Sequence, residues 1–363
     1  MIKHAYIHIP FCLRKCNYCS FVSGKNIQDK EEYLMALTKE IKTRYNKEKL
    51  KTLYIGGGTP SLLTPKEIEQ LISYFDFEKK PEITIEINPE TINKEKIKGY
   101  KIAGINRTSL GVQTFDDNIL RIIGRNHAEK DVFNAIEDIK NTEINNISID
   151  LIYGLPTQTV DIFNDDIEKA LSLDIQHLSS YGLKIEEGSF FYDNFPKGLP
   201  DDEAQAEMFL HLCSKLKSNN FEHYEISNFA KVGFSSQHNT AYWKNKNYYG
   251  FGLNASGYEN NIRYRNTSIL KDYINNPLQK EEETELSIQE IMEEEIFLAL
   301  RLNQGLDIKD FNQKYKINFE QKYEKIIDKY FKLKLLKIEN SHCKLTENGI
   351  LLSNDIMSEF IED

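Results

Sequence analysis

Residues 52–60 read TLYIGGGTP, a short β-rich run that ends in a glycine turn. The periodic segment Pro65–Phe75 comes next and predicts a helix. A strand, a turn and a helix in this order form one βα unit. The same order recurs from the N-terminus to about residue 230, so this unit decides the fold.

Six strands of this kind are predicted. They are Ala5–Ile9, Thr52–Ile55, Ile83–Ile87, Arg107–Val112, Ile147–Ile152 and Leu178–Leu183. The helices predicted between them include Glu32–Tyr45, Pro65–Phe75, Ala128–Ile139 and Val160–Leu171. Repeated βαβ units require a parallel sheet with right-handed crossovers, which forms either an open doubly wound sheet or an incomplete barrel.

Polar or glycine residues stand at the ends of at least five of these strands. They are Gly56, Gly57 and Gly58, then Glu86 and Asn88, then Gln113, Asp150, Ser180 and Tyr181. Barrel enzymes build their sites from the carboxyl ends of several strands, whereas an open sheet collects its ligand contacts at one switch point. We therefore predict an α/β fold with an incomplete (β/α)6 parallel barrel over residues 1–230.

Two further segments are predicted after the barrel. Residues 231–285 form a connecting segment, where the Asn, Tyr, Gly and Ser content from about Phe229 to Arg265 predicts loops and short strands. Residues 286–363 are predicted to form a small winged-helix-like domain. Its predicted elements are helices at Ile288–Leu300, Ile308–Tyr315 and Phe319–Phe331, a hairpin at Ile338–Leu345 and a helix at Thr346–Phe360. This domain carries 11 Lys and Arg against 15 Asp and Glu, which argues against DNA binding and favours a packing or partner-binding module.

The composition predicts a compact globular protein, since 40% of the 363 residues are hydrophobic. A formal charge of −10 lacks the basic footprint of a general nucleic-acid binder. No run approaches the ~20 apolar residues that span a bilayer, and the N-terminus lacks the features of a signal peptide, so we predict a cytoplasmic protein.

Three of the five cysteines, Cys12, Cys16 and Cys19, are spaced CxxxCxxC just after the first strand. A loop of this kind can wrap three thiolates around an iron–sulfur cluster, and a cubane would keep one iron open for a ligand. The alternative is a zinc site in which His8 completes a Cys3His set. The sequence has no second CxxC pair, and we favour the cluster.

The cysteine spacing, the aromatic-rich loop and the Gly-Gly-Gly-Thr-Pro turn at residues 56–60 resemble those of the radical S-adenosylmethionine (radical SAM) enzymes. The resemblance implies a 4Fe–4S cluster whose open iron binds the amino and carboxylate groups of S-adenosylmethionine. It also implies one-electron cleavage of the sulfonium to methionine and a 5′-deoxyadenosyl radical.

Other motif residues suit a cradle for S-adenosylmethionine. The backbone at Gly57 leaves room for the methionine ammonium group. Glu86 and Gln113 can bond to ribose hydroxyls, and Arg125 offers a fork for the carboxylate. Asp150 interrupts an apolar run and needs a partner if it is buried. Each feature also has a purely structural interpretation: a simple turn for the glycines, a solvated acid for Glu86 and a buried structural carboxylate for Asp150.

The order of the motifs resembles, over nearly the whole chain, the group that contains the oxygen-independent coproporphyrinogen III oxidases and the HemW haem chaperones. Carried over position by position, the resemblance implies nine contacts to S-adenosylmethionine: Tyr6, Tyr18, Gly57, Gly58, Thr59, Glu86, Gln113, Arg125 and Asp150. The oxidases have a fourth cysteine where this chain has Phe21, and an N-terminal extension where only 11 residues precede Cys12. The run HNTAYW at residues 238–243 resembles the HNxxYW signature of the chaperone branch and implies His238 as a haem ligand.

The resemblance therefore implies a protein that binds a 4Fe–4S cluster, S-adenosylmethionine and haem. Its implied partners are haem-accepting proteins such as respiratory cytochromes and an electron donor for the cluster, with no nucleic acid. Peripheral contact with membrane proteins and a homodimer stay open. His238 has a structural alternative, as do Tyr242 and Trp243. Two other functions also stay open: oxidative decarboxylation of coproporphyrinogen III, and RNA modification, which the acidic C-terminal domain disfavours.

Overall fold

The computed structural model describes residues 1–24 and 27–361, and the last two residues of the predicted C-terminal domain lie outside the described residues. The strands are β1 (His4–Ile9), β2 (Leu50–Gly57), β3 (Phe77–Ile87), β4 (Arg107–Gln113), β5 (Asn146–Tyr153), β6 (His177–Gly182), β7 (Phe221–Glu225), β8 (Asn228–Lys231), β9 (Tyr249–Phe251), β10 (Ser256–Glu259), β11 (Ile262–Asn266), β12 (Lys280–Glu285), β13 (Leu306–Asp307), β14 (Leu336–Glu339) and β15 (His342–Leu345).

The helices alternate with the first six strands and dominate the C-terminal part. They are α1 (Lys30–Arg44), α2 (Pro65–Ile72), α3 (Lys94–Ala103), α4 (Asp117–Ile122), α5 (Glu129–Lys140), α6 (Val160–Ser172), α7 (Phe190–Asp193), α8 (Asp202–Ser218), α9 (Gln237–Trp243), α10 (Leu270–Asn275), α11 (Ile288–Arg301), α12 (Ile308–Tyr315), α13 (Phe319–Lys322), α14 (Glu324–Lys332), α15 (Glu347–Leu351) and α16 (Ser353–Ser358).

A nine-stranded sheet organises the larger part of the molecule, in the order β7-β8-β6-β5-β4-β3-β2-β1-β9. Strands β1 to β6 pair in parallel with their sequence neighbours, and β9 adds to β1 in parallel. The β7–β8 hairpin pairs antiparallel at the other end. From β1 to β6 the strands follow chain order without the reversal of a doubly wound sheet, and within the described residues the two end strands, β7 and β9, do not pair with each other. The prediction of an incomplete barrel is therefore confirmed. Since β9 comes from the connecting segment, that segment shares the barrel sheet, and the division at residue 230 stays a prediction.

The two faces of the sheet differ in chemistry because side chains alternate along each strand. The outer face is aliphatic and fully buried, with Ile7, Ile55, Ile85, Leu110 and Ile149 each at 0% exposure. The inner face is polar. Residues that lie side by side on neighbouring strands form register rows across this face. Its residues are Tyr6, His8, Tyr54, Thr84, Glu86, Arg107, Ser109, Ser148, Asp150, His177 and Ser179. A barrel filled for stability alone carries branched aliphatic residues inside, so this polar lumen indicates contacts to a polar ligand.

The C-terminal part has its own hydrophobic core and a three-stranded antiparallel sheet, β13-β15-β14. The predicted helix Ile308–Tyr315 is present with those bounds. Two longer predicted helices are each divided in two, at Tyr323 and at Leu352. This part meets the barrel through Arg301, whose guanidinium carbon lies 4.4 Å from the ring centre of Trp243.

Helix α9 lies where loops and short strands were predicted. The Ser236 side chain accepts from Asn239 N at 3.2 Å, and the Glu82 carboxylate accepts from Gln237 N and His238 N at 3.0 Å each. These bonds satisfy the free N–H groups of the first helical turn. Glu82 precedes Gln237 by 155 residues, so no local sequence signal announces this helix.

Every helix in residues 1–24 and 27–361 is too short or too polar to cross a lipid bilayer.

Candidate cofactor site at the mouth of the barrel

The clustered cysteines lie on the loop after β1, at the carboxyl ends of the parallel strands, which we call the mouth of the barrel. All three are free thiols, and they are Cys12, Cys16 and Cys19. The loop is held at two points, because Cys12 N donates to Gly24 O at 3.1 Å and Asn17 N donates to Ile123 O at 2.9 Å. It therefore presents three sulfurs from a fixed backbone.

Hydrogen bonds connect two of the sulfurs through Thr59 and Asn88, which follow β2 and β3, and through Arg125, which follows α4. Thr59 Oγ1 donates to Cys12 Sγ at 3.5 Å, and Asn88 Nδ2 donates to Thr59 Oγ1 at 3.2 Å. Arg125 completes the connection, with Nη2 donating to Asn88 Oδ1 at 3.0 Å and Nη1 to Cys16 Sγ at 3.7 Å. Hydrogen bonds to cysteine sulfur tune the potential of a bound cluster, so these residues can act on the cluster as well as on its ligand.

The glycine turn after β2 packs directly under the cysteine loop. A Cβ on Gly58 would lie 2.7 Å from Phe11 O and 3.0 Å from Cys12 Sγ, so only glycine fits there. Gly57 has a φ of +117°, which favours glycine, and its N–H donates to Glu86 Oε2 at 3.0 Å. The turn is thus more than a simple turn, because it brings backbone to the thiols.

Two carboxylates face the lumen below the cysteines. Glu86 accepts from Tyr54 OH at 2.8 Å, and burial raises the pKa of Glu86 to about 7. Asp150 accepts from Ser109 Oγ at 3.2 Å, and burial raises its pKa as well. Glu86 is therefore not a solvated acid; it lies inside the lumen with acceptor capacity for a ligand.

Arg125 and Gln113 reach the mouth from irregular backbone. Gly124, with a φ of +79°, lies just beyond the end of helix α4, and Arg125 Nη2 donates to the carbonyl of Gly111. Arg125 Nε is buried without a partner. Gln113 is buried and has a φ of +71° at the end of β4, where the register with β5 shifts. An unpaired buried donor of this kind indicates a ligand contact.

A buried carboxylate on helix α6 anchors the turn that carries Gln113. Asp166 accepts from Phe115 N at 2.6 Å, from Thr114 Oγ1 at 2.8 Å and from Gln158 Nε2 at 3.3 Å. Burial raises the pKa of Asp166 to about 7. Sequence reasoning missed this residue, because nothing in the periodicity of α6 separates a buried acid from a surface one.

The two predicted tyrosine contacts lie on opposite sides of the site. Tyr6, on β1, bonds through its hydroxyl to His8 Nδ1 at 3.0 Å and stacks with Tyr54 at a centroid distance of 6.1 Å. Tyr18, on the cysteine loop, packs against the apolar cluster that includes Ile119 and Ile123. Burial raises the pKa of both phenols, so both are neutral hydrogen-bonding groups.

The zinc alternative finds no support in the side chains around the cysteines. His8 uses Nδ1 with Tyr6 and bonds through Nε2 to Val22 O at 3.2 Å. Three thiols with sulfur-directed donors and no fourth thiol beside them fit a cluster with one open iron. The orphaned Arg125 Nε and the glycine turn likewise fit the carboxylate and ammonium groups of an amino-acid-like ligand beside it.

His238 lies at the other end of the lumen, which we call the floor and define by Thr52, Glu82, Arg107 and His238. Its Nδ1 bonds to Thr52 Oγ1 and its Nε2 to Tyr242 OH, both at 2.7 Å. The ring is 1% exposed and stacks on Tyr54. Burial lowers its pKa well below the usual range. Haem ligation by His238 stays a prediction, and it would require one of these two hydrogen bonds to break.

Comparison with known proteins gives close relatives over the full length. The chain is 38% identical to the haem chaperone HemW of Lactococcus lactis, over 99% of this chain and 97% of that protein. It is 39% identical to the haem chaperone HemW of Bacillus subtilis, over 99% of each. This chain belongs to the HemW family.

The family assignment agrees with two profile matches. Residues 6–170 match the Radical SAM superfamily, and residues 286–352 match the HemN C-terminal domain. The solved coproporphyrinogen III oxidase HemN of Escherichia coli, a radical SAM enzyme, superposes with a TM-score of 0.88 over 99% of this chain and 90% of that one, at 22% identity. That likeness shows the fold. Radical SAM membership implies a 4Fe–4S cluster and S-adenosylmethionine as cofactors of HemW proteins.

The structure thus brings eight of the nine predicted S-adenosylmethionine residues to the mouth and upper lumen, and Tyr6 lies one register row below Glu86. Their contacts to the ligand stay predictions. Sequence reasoning noted Asn88 only as a strand-end residue and missed its bridge between Thr59 and Arg125. Tyr54 and Arg107 were missed as lumen residues. Tyr54 interrupts an apolar run at an inner-face position, and that period-two signal could have identified it, whereas Arg107 is flanked by polar residues at the start of β4.

Proposed function

We propose that this chain is a haem chaperone that binds a 4Fe–4S cluster through Cys12, Cys16 and Cys19. It binds S-adenosylmethionine beside the cluster, binds haem, and delivers haem to acceptor proteins such as respiratory cytochromes. The same proposal includes an electron donor that reduces the cluster and a location of the protein in the cytoplasm. The observation that carries it is the full-length identity of 38–39% to HemW chaperones, together with the three-cysteine loop at the mouth.

The roles of the residues follow from their positions. The Arg125 fork suits the carboxylate of S-adenosylmethionine, and the backbone from Gly57 to Thr59 suits its amino group. Glu86 and Gln113 suit the ribose hydroxyls, with Asp150 as a further acceptor in the lumen. Burial of these groups excludes water and strengthens each contact. A cluster held by the three thiols would supply one-electron chemistry to the sulfonium.

Haem binding is tested first by absorption spectroscopy. Anaerobically purified protein is expected to show cluster charge-transfer bands, and added haem is expected to give a Soret band without loss of those bands. Transfer of the bound haem to an apo-cytochrome then tests delivery. A protein with no Soret band at any haem concentration would contradict the chaperone role.

The competing enzyme activity is tested with the same preparation. Cluster-loaded protein is incubated anaerobically with coproporphyrinogen III, S-adenosylmethionine and a reductant. We expect no protoporphyrinogen, because residue 21 is Phe and the chain has no fourth clustered cysteine. Formation of at least one equivalent of protoporphyrinogen per protein would contradict the chaperone proposal and indicate a decarboxylase instead.

A further inference from the structure

Arg107 is a fully buried guanidinium at the floor of the lumen, and none of the proposed contacts uses it. It is 1% exposed and opens β4, level with Thr84 and Asn146 on the inner face. Its Nε is buried without a partner, and within the described chain no carboxylate oxygen lies within 4.0 Å of its nitrogens. Arg44, which is more exposed, has two carboxylate partners at 2.6 and 2.7 Å, whereas Arg125, the other buried arginine, bonds to Asn88 and the Gly111 carbonyl. A buried charge without a partner is costly, so Arg107 requires another explanation.

The groups that face Arg107 come from every element around the floor. They are Tyr54 on β2, Glu86 on β3, Asp150 on β5, His177 on β6, Tyr224 on β7 and His238 on α9. Burial lowers the pKa of both histidines, and the Arg107 charge lowers it further, so they are neutral. Burial raises the pKa of both tyrosines, so they are neutral too.

Apart from Glu82, whose carboxylate accepts from the first-turn N–H groups of α9, the charged groups left near Arg107 in the described chain are the two lumen carboxylates. Glu86 lies one register row above it and Asp150 two rows above it. Burial raises the pKa of each carboxyl and their mutual repulsion raises that of Glu86 further, whereas the Arg107 charge opposes both rises. Two carboxylates that share one site oppose each other's ionisation, and a nearby cation relieves this repulsion.

We propose that Arg107 is a positioning residue for S-adenosylmethionine: from the floor it provides the positive charge that lets Glu86 and Asp150 act as acceptors for the ligand above. This inference rests on the proposed function, since it takes those two residues as contacts. Arg107 acts through them without touching the ligand. Its place suits this role, because Arg107 lies on the same inner face, one register row below Glu86 and two rows below Asp150.

The test is the pH dependence of S-adenosylmethionine affinity, measured by calorimetry on anaerobic, cluster-loaded protein from pH 6 to pH 9. The parent is compared with Arg107→Met, which removes the charge, and Arg107→Lys, which keeps it. Arg121→Met serves as the matched control, since Arg121 is on the surface of α4 and bonds only to neighbours on that helix.

Without the Arg107 charge the carboxyls hold their protons to higher pH. We expect Arg107→Met to bind at least tenfold more weakly at pH 7, with the midpoint of its pH curve raised by about one unit and most of the affinity restored by pH 9. Calorimetry in buffers of different ionisation enthalpy should show extra proton release on binding by this variant. Arg107→Lys and Arg121→Met should follow the parent curve within threefold.

Two results would overturn the proposal. An equal loss of affinity at every pH in both Arg107 variants would mean that the fork itself contacts the ligand, and an unchanged curve for Arg107→Met would mean that the charge is irrelevant. If Arg107→Met does not fold, Arg107→Lys decides the question. A shifted or uniformly weakened pH curve for Arg107→Lys contradicts a charge role, and a curve that coincides with that of the parent supports it. Failure of the parent to bind at any pH would instead refute the proposed function.

Discussion

At the mouth of the barrel Arg125 keeps a buried Nε without a partner, whereas at the floor His238 uses both of its ring nitrogens. The Glu82 carboxylate, also at the floor, has hydrogen-bond partners as well, because it accepts from two backbone N–H groups of α9. Evolution of a stable protein favours satisfied buried polar groups, and the exceptions concentrate where ligands bind. The difference therefore separates Arg125, which keeps a donor for a ligand, from His238 and Glu82, which hold the floor together. Arg107 is the exception at the floor, because its Nε also lacks a partner.

The largest expected effect is at the mouth. Replacing any one of the three clustered cysteines by Ser should abolish the cluster, because each supplies one of only three protein sulfurs. Iron and labile sulfide analysis of the purified variants measures this. Cys213→Ser and Cys343→Ser are the matched controls and should keep full iron content. One equivalent of zinc without sulfide in the parent would contradict the cluster.

Arg125→Lys should weaken S-adenosylmethionine binding although it keeps the charge. A planar fork makes paired hydrogen bonds that an ammonium cannot reproduce, and the expected loss is about 1.5–3 kcal/mol. Calorimetry on cluster-loaded protein measures it, with Arg121→Lys as the surface control. Equal affinity of parent and variant would remove Arg125 from the site and weaken the contrast between mouth and floor.

His238→Ala tests the floor. It should lower the free energy of unfolding by about 1–3 kcal/mol, because the buried Tyr242 hydroxyl loses its partner. It should also reduce haem loading if His238 ligates iron, while cluster content stays unchanged. Thr52→Val is the control, since it breaks a bond to His238 but keeps the imidazole. His211→Ala, on α8, controls for the loss of a histidine.

The two variants at the floor then decide the role of His238. Haem loss in His238→Ala but not in Thr52→Val would assign the ligand to His238. Equal haem retention by all the folded variants would make His238 purely structural, and the haem site would lie elsewhere.

A smaller effect is expected from Asp166, which fixes the turn at Gln113. Its pKa of about 7 in the folded chain lies above the value of about 4 expected when unfolded, so between pH 4 and pH 7 the folded chain binds more protons. The free energy of unfolding therefore falls as pH rises through this window. Asp166→Asn should reduce that fall by about 2–3 kcal/mol between pH 5 and pH 8. Denaturant titrations at the two pH values measure it, and an unchanged slope would contradict the shift.

The barrel could be predicted from sequence because its signals are local. Each strand is an apolar run with a polar end, and α2 begins with a capping box in which Thr64 and Glu67 bond to each other's backbone N–H. Helix α9 could not be predicted, because its first turn is satisfied by Glu82 from a distant strand. The cysteine loop could be predicted by its spacing, whereas the bridge through Asn88 depends on two strand ends meeting the segment after α4.

The lumen was harder to interpret than the mouth. A charged residue at the start of a strand, such as Arg107, looks like a solvent-facing end until the register places it inside. Imidazole binds iron, and the sequence therefore favours His238 as a ligand. In the fold, however, a hydrogen bond to Thr52 and stacking on Tyr54 hold the ring in place. Sequence indicates which chemistry is present, and tertiary packing decides which groups remain free to use it.

The incomplete barrel has two free edges, and later parts of the chain cover both. At β7, Ile226 N donates to Arg301 O at 3.1 Å and Asn303 N to Tyr224 O at 3.0 Å. Beside β9, Tyr248 and Tyr258 exchange backbone bonds at 2.8 and 3.0 Å. Unpaired strand edges invite pairing between molecules. The C-terminal part therefore protects the barrel from aggregation, and a chain without residues 286–361 would expose the backbone of β7 to its neighbours.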